Sequence, residues 1–426
     1  MYRLQYAIRF LFVSSAFVYW LFPIYLSIWP GIVNTSIYHI VPALYILFHW
    51  RKLTELFLHI SAKRYFVVSA VFFLFAIFWA LCTILYNNTS DYSYFMKLFI
   101  VIRSIYVDLF LLLLAIQAVP HGTLLERFSY FWCSAVTVSV LFTVISLLFP
   151  GVRIFWESIL VRTDISEQFF ENAMYITRFG IGGFAGFLNT IIASIAVILS
   201  YYLLERGRSI GLFFLFFSLL GNLFYGRIGI LLSAVALLFL FIRTLSLRKS
   251  LKHIFWGSLV LGVVSGIFLL SDDPLLEAWK IWLMQPVEDF LTGLSIGQLS
   301  FGSSGDKLVY GMYFWPDDTT FLLGDGRYTN SDESYYMHTD AGFMRIILYF
   351  GLIGAAFVYG SFILLILAVL STPQKEKFIL YMSEILTVIF FLTEYKGEAY
   401  PLYFGIAMVI FLCNGKDTCS EGAYNA

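Results

Sequence analysis

The chain has 426 residues, 60% of them apolar, 20% aromatic and only 13% charged, which is more hydrophobic surface than one soluble core can bury. Its 27 basic and 27 acidic residues cancel to a formal net charge of zero, so the basic character that nucleic-acid binding draws on is missing. A soluble globular protein and a nucleic-acid-binding protein are excluded, and an all-α polytopic integral membrane protein is expected.

Apolar runs long enough to cross about 30 Å of hydrocarbon fall at 8–28, 33–50, 65–86, 95–118, 128–149, 180–204, 209–225, 227–243, 254–271, 341–370, 378–394 and 399–413, which predicts about twelve helices. Arg3 and Arg9 stand at the head of the first run and no small-residue cleavage site follows it, so an uncleaved first helix is expected. Cys82 and Cys133 lie inside apolar runs, while Cys413 and Cys419 sit at or past the end of the last. They form neither a metal-ligand spacing nor a disulfide framework.

Alternate connections differ in basic density. Arg3, Arg9, Arg51, Lys52, Lys63, Arg64, Arg127, Arg206, Arg208, Arg243, Arg248, Lys249, Lys252, Lys375, Lys377 and Lys416 form one set, 16 of the 27 basic residues. The opposite connections are longer and hold eight, so both termini are expected in the cytoplasm. The sequence therefore divides into N-terminal helices (1–271, about nine), an extracytoplasmic loop (272–340), and C-terminal helices with a cytoplasmic tail (341–426, about three helices). The loop holds 12 acidic residues against 3 basic, which makes its few cations informative. Within it Leu275, Ala278, Trp279, Trp282 and Leu283 follow helical spacing and predict an amphipathic helix along the membrane surface. No internal repeat recurs between the halves, which weighs against a transporter built on inverted repeats.

Several groups of residues suggest chemistry. Arg178 and Arg227 open predicted helices at the outer boundary, and Lys97, Arg103 and Arg345 sit within helices. Charges at such depth mark a site or a water-filled cavity, or else snorkel to the interface. Guanidinium groups suit a diphosphate because each planar fork makes two charge-assisted hydrogen bonds. Asp108 is too far along its helix for an ideal pair with Arg103 and is left to pair across helices.

Arg178-Phe179-Gly180-Ile181-Gly182-Gly183-Phe184-Ala185-Gly186 is read as a glycine-rich helix start where helices or a ligand approach the backbone. No strand precedes it, so it is not a dinucleotide fingerprint. Gly226-Arg227-Ile228-Gly229 places a charge where backbones can come close, and Gly324-Asp325-Gly326-Arg327 makes a tight turn. His338-Thr339-Asp340 stands at the mouth of the 341–370 helix, where Asp340 is either an N-cap or a general base. Glu394-Tyr395-Lys396-Gly397-Glu398 is either a solvated hairpin or a contributor of positive potential and a rival base.

Taken in order, the Arg178 segment, Gly226-Arg227, the long loop, Leu323-Gly324-Asp325-Gly326, and Asp340-Ala341-Gly342-Phe343-Met344-Arg345 ahead of Gly351-Leu352-Ile353-Gly354 resemble the O-antigen and capsular polysaccharide polymerases of the Wzy type. These share a superfamily of lipid-linked glycosyltransferases with the O-antigen ligases, and the resemblance covers about 175–400. It implies a GT-C-like fold in the bacterial plasma (inner) membrane. It also implies transfer of a growing glycan from undecaprenyl diphosphate to the non-reducing end of another carrier-linked repeat unit. The donor sugar arrives activated, so no metal and no cofactor is implied; a chain-length regulator is an implied partner.

The resemblance assigns diphosphate binding to Arg178 and Arg227, with Arg345 and Lys396 adding positive charge. A further loop cation falls to Lys307 or Arg327, because Lys307 stands where the family pattern has arginine. Catalytic candidates are Asp340, His338 and Glu394. Counting back from Gly351, Gly342 to Phe350 is nine residues, so Asp340, two residues ahead of that run, occupies the position where ligases carry histidine, and His338 lies two residues too early. That favours polymerase over ligase; a lipid-linked oligosaccharide flippase is the rival from another class.

Overall fold

The computed structural model describes residues 2–58, 63–119, 122–161, 177–184, 186–244, 262, 266, 274–295, 305–332, 334–372 and 376–414. In chain order these form α1 (Tyr2–Leu21), α2 (Gly31–Phe48), α3 (Trp50–Leu58), α4 (Lys63–Tyr86), α5 (Ser93–Ala118), α6 (Leu124–Leu148) and α7 (Pro150–Ile159). An antiparallel hairpin follows, β1 (Phe179–Gly180) with β2 (Gly183–Phe184). Then come α8 (Gly186–Glu205), α9 (Ile210–Tyr225), α10 (Arg227–Thr244), α11 (Pro274–Ser295), α12 (Asp318–Leu323), α13 (Gly342–Ser371), α14 (Lys377–Lys396) and α15 (Tyr400–Asn414). Eight of the helices are long and apolar enough to cross a membrane, and shorter apolar helices run over Ile8–Leu21, Ile210–Tyr225 and Tyr400–Asn414. The chain is a multi-pass membrane protein with an α-helical body. The span expected at 254–271, apart from two glycines, lies outside the described residues.

The chain divides into two compact units, one made of Met1–Leu44 and Leu114–Glu288, the other of Tyr45–Leu113 and Asp289–Ala426. In the first unit α8 is the central helix, with buried side chains on nearly every face. Thr190, Ala193, Ser194, Ala196 and Ser200 keep its surface small, and small residues let helix backbones come close. A Cβ on Gly211 would sit 2.7 Å from the Ser200 carbonyl, and one on Gly229 would sit 2.5 Å from Thr190 Cγ2. Asn222 joins α9 to α8 and α10, accepting from Ser194 Oγ at 3.3 Å and donating to Ser233 Oγ at 2.7 Å. Buried polar groups satisfied in this way fix which helices meet.

One expectation fails here. The glycine run 179–184 is a hairpin, and the helix expected from 180 begins at Gly186. Gly183 has φ +93°, a conformation glycine adopts without a Cβ penalty, and a Cβ on Gly182 would meet the Phe22 and Pro23 carbonyls at 3.1 Å.

In the second unit α13 packs along α4, with Ser69 donating to the Ser361 carbonyl at 2.6 Å. Although α13 is apolar throughout, Gly351 (φ 66°, ψ −179°) breaks its hydrogen-bond ladder. The carbonyls released are used at once: Leu348 accepts from Asp325 N–H at 2.8 Å, Tyr349 from Gly326 N–H at 3.1 Å, and Phe350 from Trp79 Nε1 at 2.7 Å. The Gly324-Asp325-Gly326 turn is thus seated in a gap in a membrane helix, with these three acceptors satisfied. The end of α4 holds the turn from the other side, through Asn87 Nδ2 to the Gly324 carbonyl at 2.9 Å and Thr89 Oγ1 to the Gly326 carbonyl at 3.0 Å. Asp108, open in the sequence to a pairing across helices, is buried against Gly405, and its Oδ2 has no hydrogen-bond partner among the described residues.

Candidate functional site

In the first unit three elements bring two arginines to one ring. The hairpin is pinned by Thr143 Oγ1 donating to the Phe179 carbonyl at 2.9 Å and Trp156 Nε1 donating to the Ile181 carbonyl at 2.8 Å. Arg178 precedes it in a short turn, so it enters from the hairpin where a helix start was expected. Its side chain crosses Gly186, where a Cβ would lie 3.0 Å from Arg178 Cδ; the glycine there makes room for the arginine. Arg227 is the first residue of α10, as the sequence predicts. Trp282 of α11 receives both: each guanidinium carbon lies 4.9 Å from its ring centroid, and Arg227 Nη1 donates to its backbone carbonyl at 3.4 Å. The two guanidinium carbons are therefore no further apart than twice that distance. Trp279 and Trp282 are both 4% exposed while Ile281 is 58% exposed, which is the one-sided burial their spacing predicts.

The second unit holds a buried ionic cluster. Lys97 Nζ lies 2.6 Å from Glu398 Oε2, and Arg345 Nη1 lies 3.4 Å from the same oxygen. The Tyr328 hydroxyl accepts from Lys97 and donates to Glu398 Oε2 at 3.1 Å. The Arg345 guanidinium carbon lies 4.0 Å from the Tyr328 ring centroid and 3.8 Å from that of Tyr335, two rings inclined at 66° to each other. Asp91 sets this loop by accepting from the Tyr328 and Thr329 N–H groups at 2.6 and 3.1 Å.

Removing the Glu398 charge leaves the buried Arg345 and the part-buried Lys97 without their counter-ion, a change that costs up to about 3–5 kcal/mol in fully buried pairs. Glu398→Gln should therefore lower the unfolding midpoint in detergent. A double-mutant cycle with Lys97→Met should show coupling above about 1 kcal/mol; additive effects would show that the pair contributes nothing specific.

The remaining candidates separate by environment. Asp340 does not cap α13: the N-cap is Ala341, whose side chain has no acceptor to offer, and its N–H donates to Thr339 Oγ1 at 3.3 Å. Asp340 instead faces Lys396, Oδ2 to Nζ 3.4 Å, and its Oδ1 has no hydrogen-bond partner among the described residues. His338 is exposed, has φ +54° and lies 3.5 Å from Ser334 Oγ through Nδ1. Glu394 is fully buried with both oxygens engaged, Oε1 by the Ala399 N–H at 2.7 Å and Oε2 by the Tyr359 hydroxyl at 3.1 Å. It closes the turn between α14 and α15. Lys307 and Arg327 are exposed.

Asp325 accepts from Thr320 Oγ1 at 2.7 Å and from the Tyr336 hydroxyl at 2.9 Å, so it braces its own turn. Burial, with that bond to Asp325, pushes the Tyr336 hydroxyl up to about 12, which keeps it a donor at neutral pH.

Residues the sequence left unassigned complete both sets. Trp282 was legible only as part of an apolar stripe, and nothing local marks Tyr328 and Tyr335 as contacts of Arg345 or Asp91 as their support. A cavity of about 520 Å³ near Glu126, Arg127 and Arg208 is a different kind of place. Glu126 there accepts from the Thr123 N–H and from Arg208, while Arg127 donates to the Gly122 and Ile116 carbonyls, so these charges secure helix ends. Compared with known proteins, the chain matches no family model, no curated protein and no solved structure.

Proposed function

We propose that the chain is a polysaccharide polymerase of the Wzy type, transferring a growing glycan from undecaprenyl diphosphate to the non-reducing end of another carrier-linked repeat unit. On this reading the protein lies in the bacterial plasma membrane, with about twelve spans, both termini cytoplasmic and one large extracytoplasmic loop, a GT-C-like arrangement. The observation that carries it is the meeting of Arg178 and Arg227 at Trp282. Two planar forks around one ring match the two phosphoryl groups of a diphosphate, and a low-dielectric setting strengthens the attraction.

The reaction is displacement at the anomeric carbon. The acceptor hydroxyl oxygen forms the new bond to that carbon, the bond to the diphosphate oxygen breaks, and the diphosphate leaves with the electron pair. Arg178 and Arg227 stabilise the charge gathering on it. Asp340 of the second unit, whose Oδ1 has no hydrogen-bond partner among the described residues, is the candidate base for the acceptor proton. His338, exposed beside it in sequence, is the substitute base, and Glu394, both of whose oxygens already accept hydrogen bonds, comes after them. Lys396 sets the potential at Asp340, and Lys307 or Arg327 supplies the further loop cation.

The test is the lipid-linked glycan pattern after deletion of the gene. A polymerase mutant exports single repeat units. Full-length chains accumulating on the carrier would instead identify a ligase, and no exported glycan a flippase.

A further inference from the structure

Arg345 is only 7% exposed, yet its hydrogen bonding is incomplete. Its Nη1 faces Glu398, while Nε and Nη2 are buried and have no hydrogen-bond partner among the described residues. Those two nitrogens form the side edge of the guanidinium, whose parallel N–H groups match the two oxygens of one oxyanion. Leaving such donors unmatched costs more than leaving neutral ones, so a buried edge of this kind implies a ligand. Contacts with the Tyr328 and Tyr335 rings hold the guanidinium in place beforehand, which lowers the cost of binding. The same place also lacks a donor: Glu398 Oε1, on the carboxylate that pairs with Arg345, is buried and has no hydrogen-bond partner among the described residues.

A ligand that satisfies both must carry an oxyanion and, next to it, a hydroxyl. Fully deprotonated phosphate has no donor for Glu398 and brings two negative charges against it where a carboxylate brings one. We propose that the Nε/Nη2 edge of Arg345 binds the carboxylate of an acidic sugar, with a neighbouring hydroxyl donating to Glu398 Oε1. The inference rests on the polymerase reading only in taking that sugar to be part of the glycan substrate. Tyr335, 45% exposed, is the solvent-side contact of the pair, and binding requires it to move off the fork.

Binding to the full-length protein in detergent, with glucuronate, glucose, inorganic phosphate and pyrophosphate as probes, tests this directly. Glucuronate should bind at least tenfold more tightly than glucose or phosphate. Arg345→Lys keeps the charge without the fork and should weaken glucuronate at least tenfold, leaving pyrophosphate unaffected. Because that variant can misfold, the wild-type protein supplies a second measurement: modification of Arg345 by an arginine-specific dicarbonyl, read by mass spectrometry. Glucuronate should protect Arg345, whereas glucose and pyrophosphate should not.

An Arg345 that never reacts is closed to any ligand and overturns the proposal, as does phosphate binding there as well as glucuronate, or glucuronate binding unchanged in folded Arg345→Lys. Pyrophosphate binding without glucuronate binding overturns this inference alone. The reverse pattern overturns the diphosphate reading of Arg178 and Arg227.

Discussion

Arg227→Ala should leave the protein inserted in the membrane and reduce chain extension by about 100-fold or more, so that surface glycans shrink to single repeat units. Removing one preorganised charge stabiliser from a transition state costs about 10²–10³ in rate, and a helix start in contact with α11 through a side chain has little folding energy at stake. Arg227→Lys separates charge from shape. It keeps the cation but loses the planar fork and the face-on packing against Trp282, and should recover only a minor part of the activity. Trp282→Leu should fall between, since a cation over an indole gains about 0.5–2 kcal/mol of positioning and the charges themselves remain. The measurement is the chain-length distribution of surface polysaccharide in cells carrying each variant at matched protein level. Normal distributions in Arg227→Ala would take Arg227 out of the reaction and the proposed function with it.

What could be foreseen from the sequence divides along a physical line. Arg227 at a helix start, Trp279 and Trp282 on one helix face, and the Gly324-Asp325-Gly326 turn were all legible, because each follows from local backbone preference or from period-3.6 burial. The hairpin at 179–184 was not, since two strands of two residues carry no periodicity, and its glycines fit a helix contact equally well. Asp340 illustrates a subtler failure. Aspartate is a good N-cap, but the cap position is fixed by backbone dihedrals that Thr339 and Ala341 determine here. The pairing of Lys97 with Glu398 joins residues 301 positions apart, and nothing in either segment announces the other. Local rules supplied the elements, and tertiary contacts supplied the partners.

The break in α13 yields the second large effect, on stability. Gly351 has φ 66° and ψ −179°, a region closed to residues with a side chain, and occupying it with alanine costs about 1–3 kcal/mol in backbone strain alone. Space is a worse obstacle: a Cβ there would lie 2.2 Å from the Leu322 carbonyl oxygen and 2.5 Å from Leu323 N. Those are backbone atoms at the end of α12, immediately before the turn that docks into the break, so they can yield only if Asp325 and Gly326 surrender their bonds to Leu348 and Tyr349.

Gly324 faces the same limit from the other partner, with φ 79° and a Cβ position 2.3 Å from the Tyr349 carbonyl oxygen. Gly351→Ala and Gly324→Ala should each remove most of the folded protein recovered in detergent and lower the unfolding midpoint of what remains. Gly311→Ala, whose Cβ would meet only Lys307 Cγ at 3.8 Å, should behave like the parent protein. Since the damage is shared, the Gly324→Ala, Gly351→Ala double variant should be scarcely worse than either single one. A Gly351→Ala protein as stable as the parent would mean that α13 runs straight through this position and that the turn at Asp325 docks elsewhere.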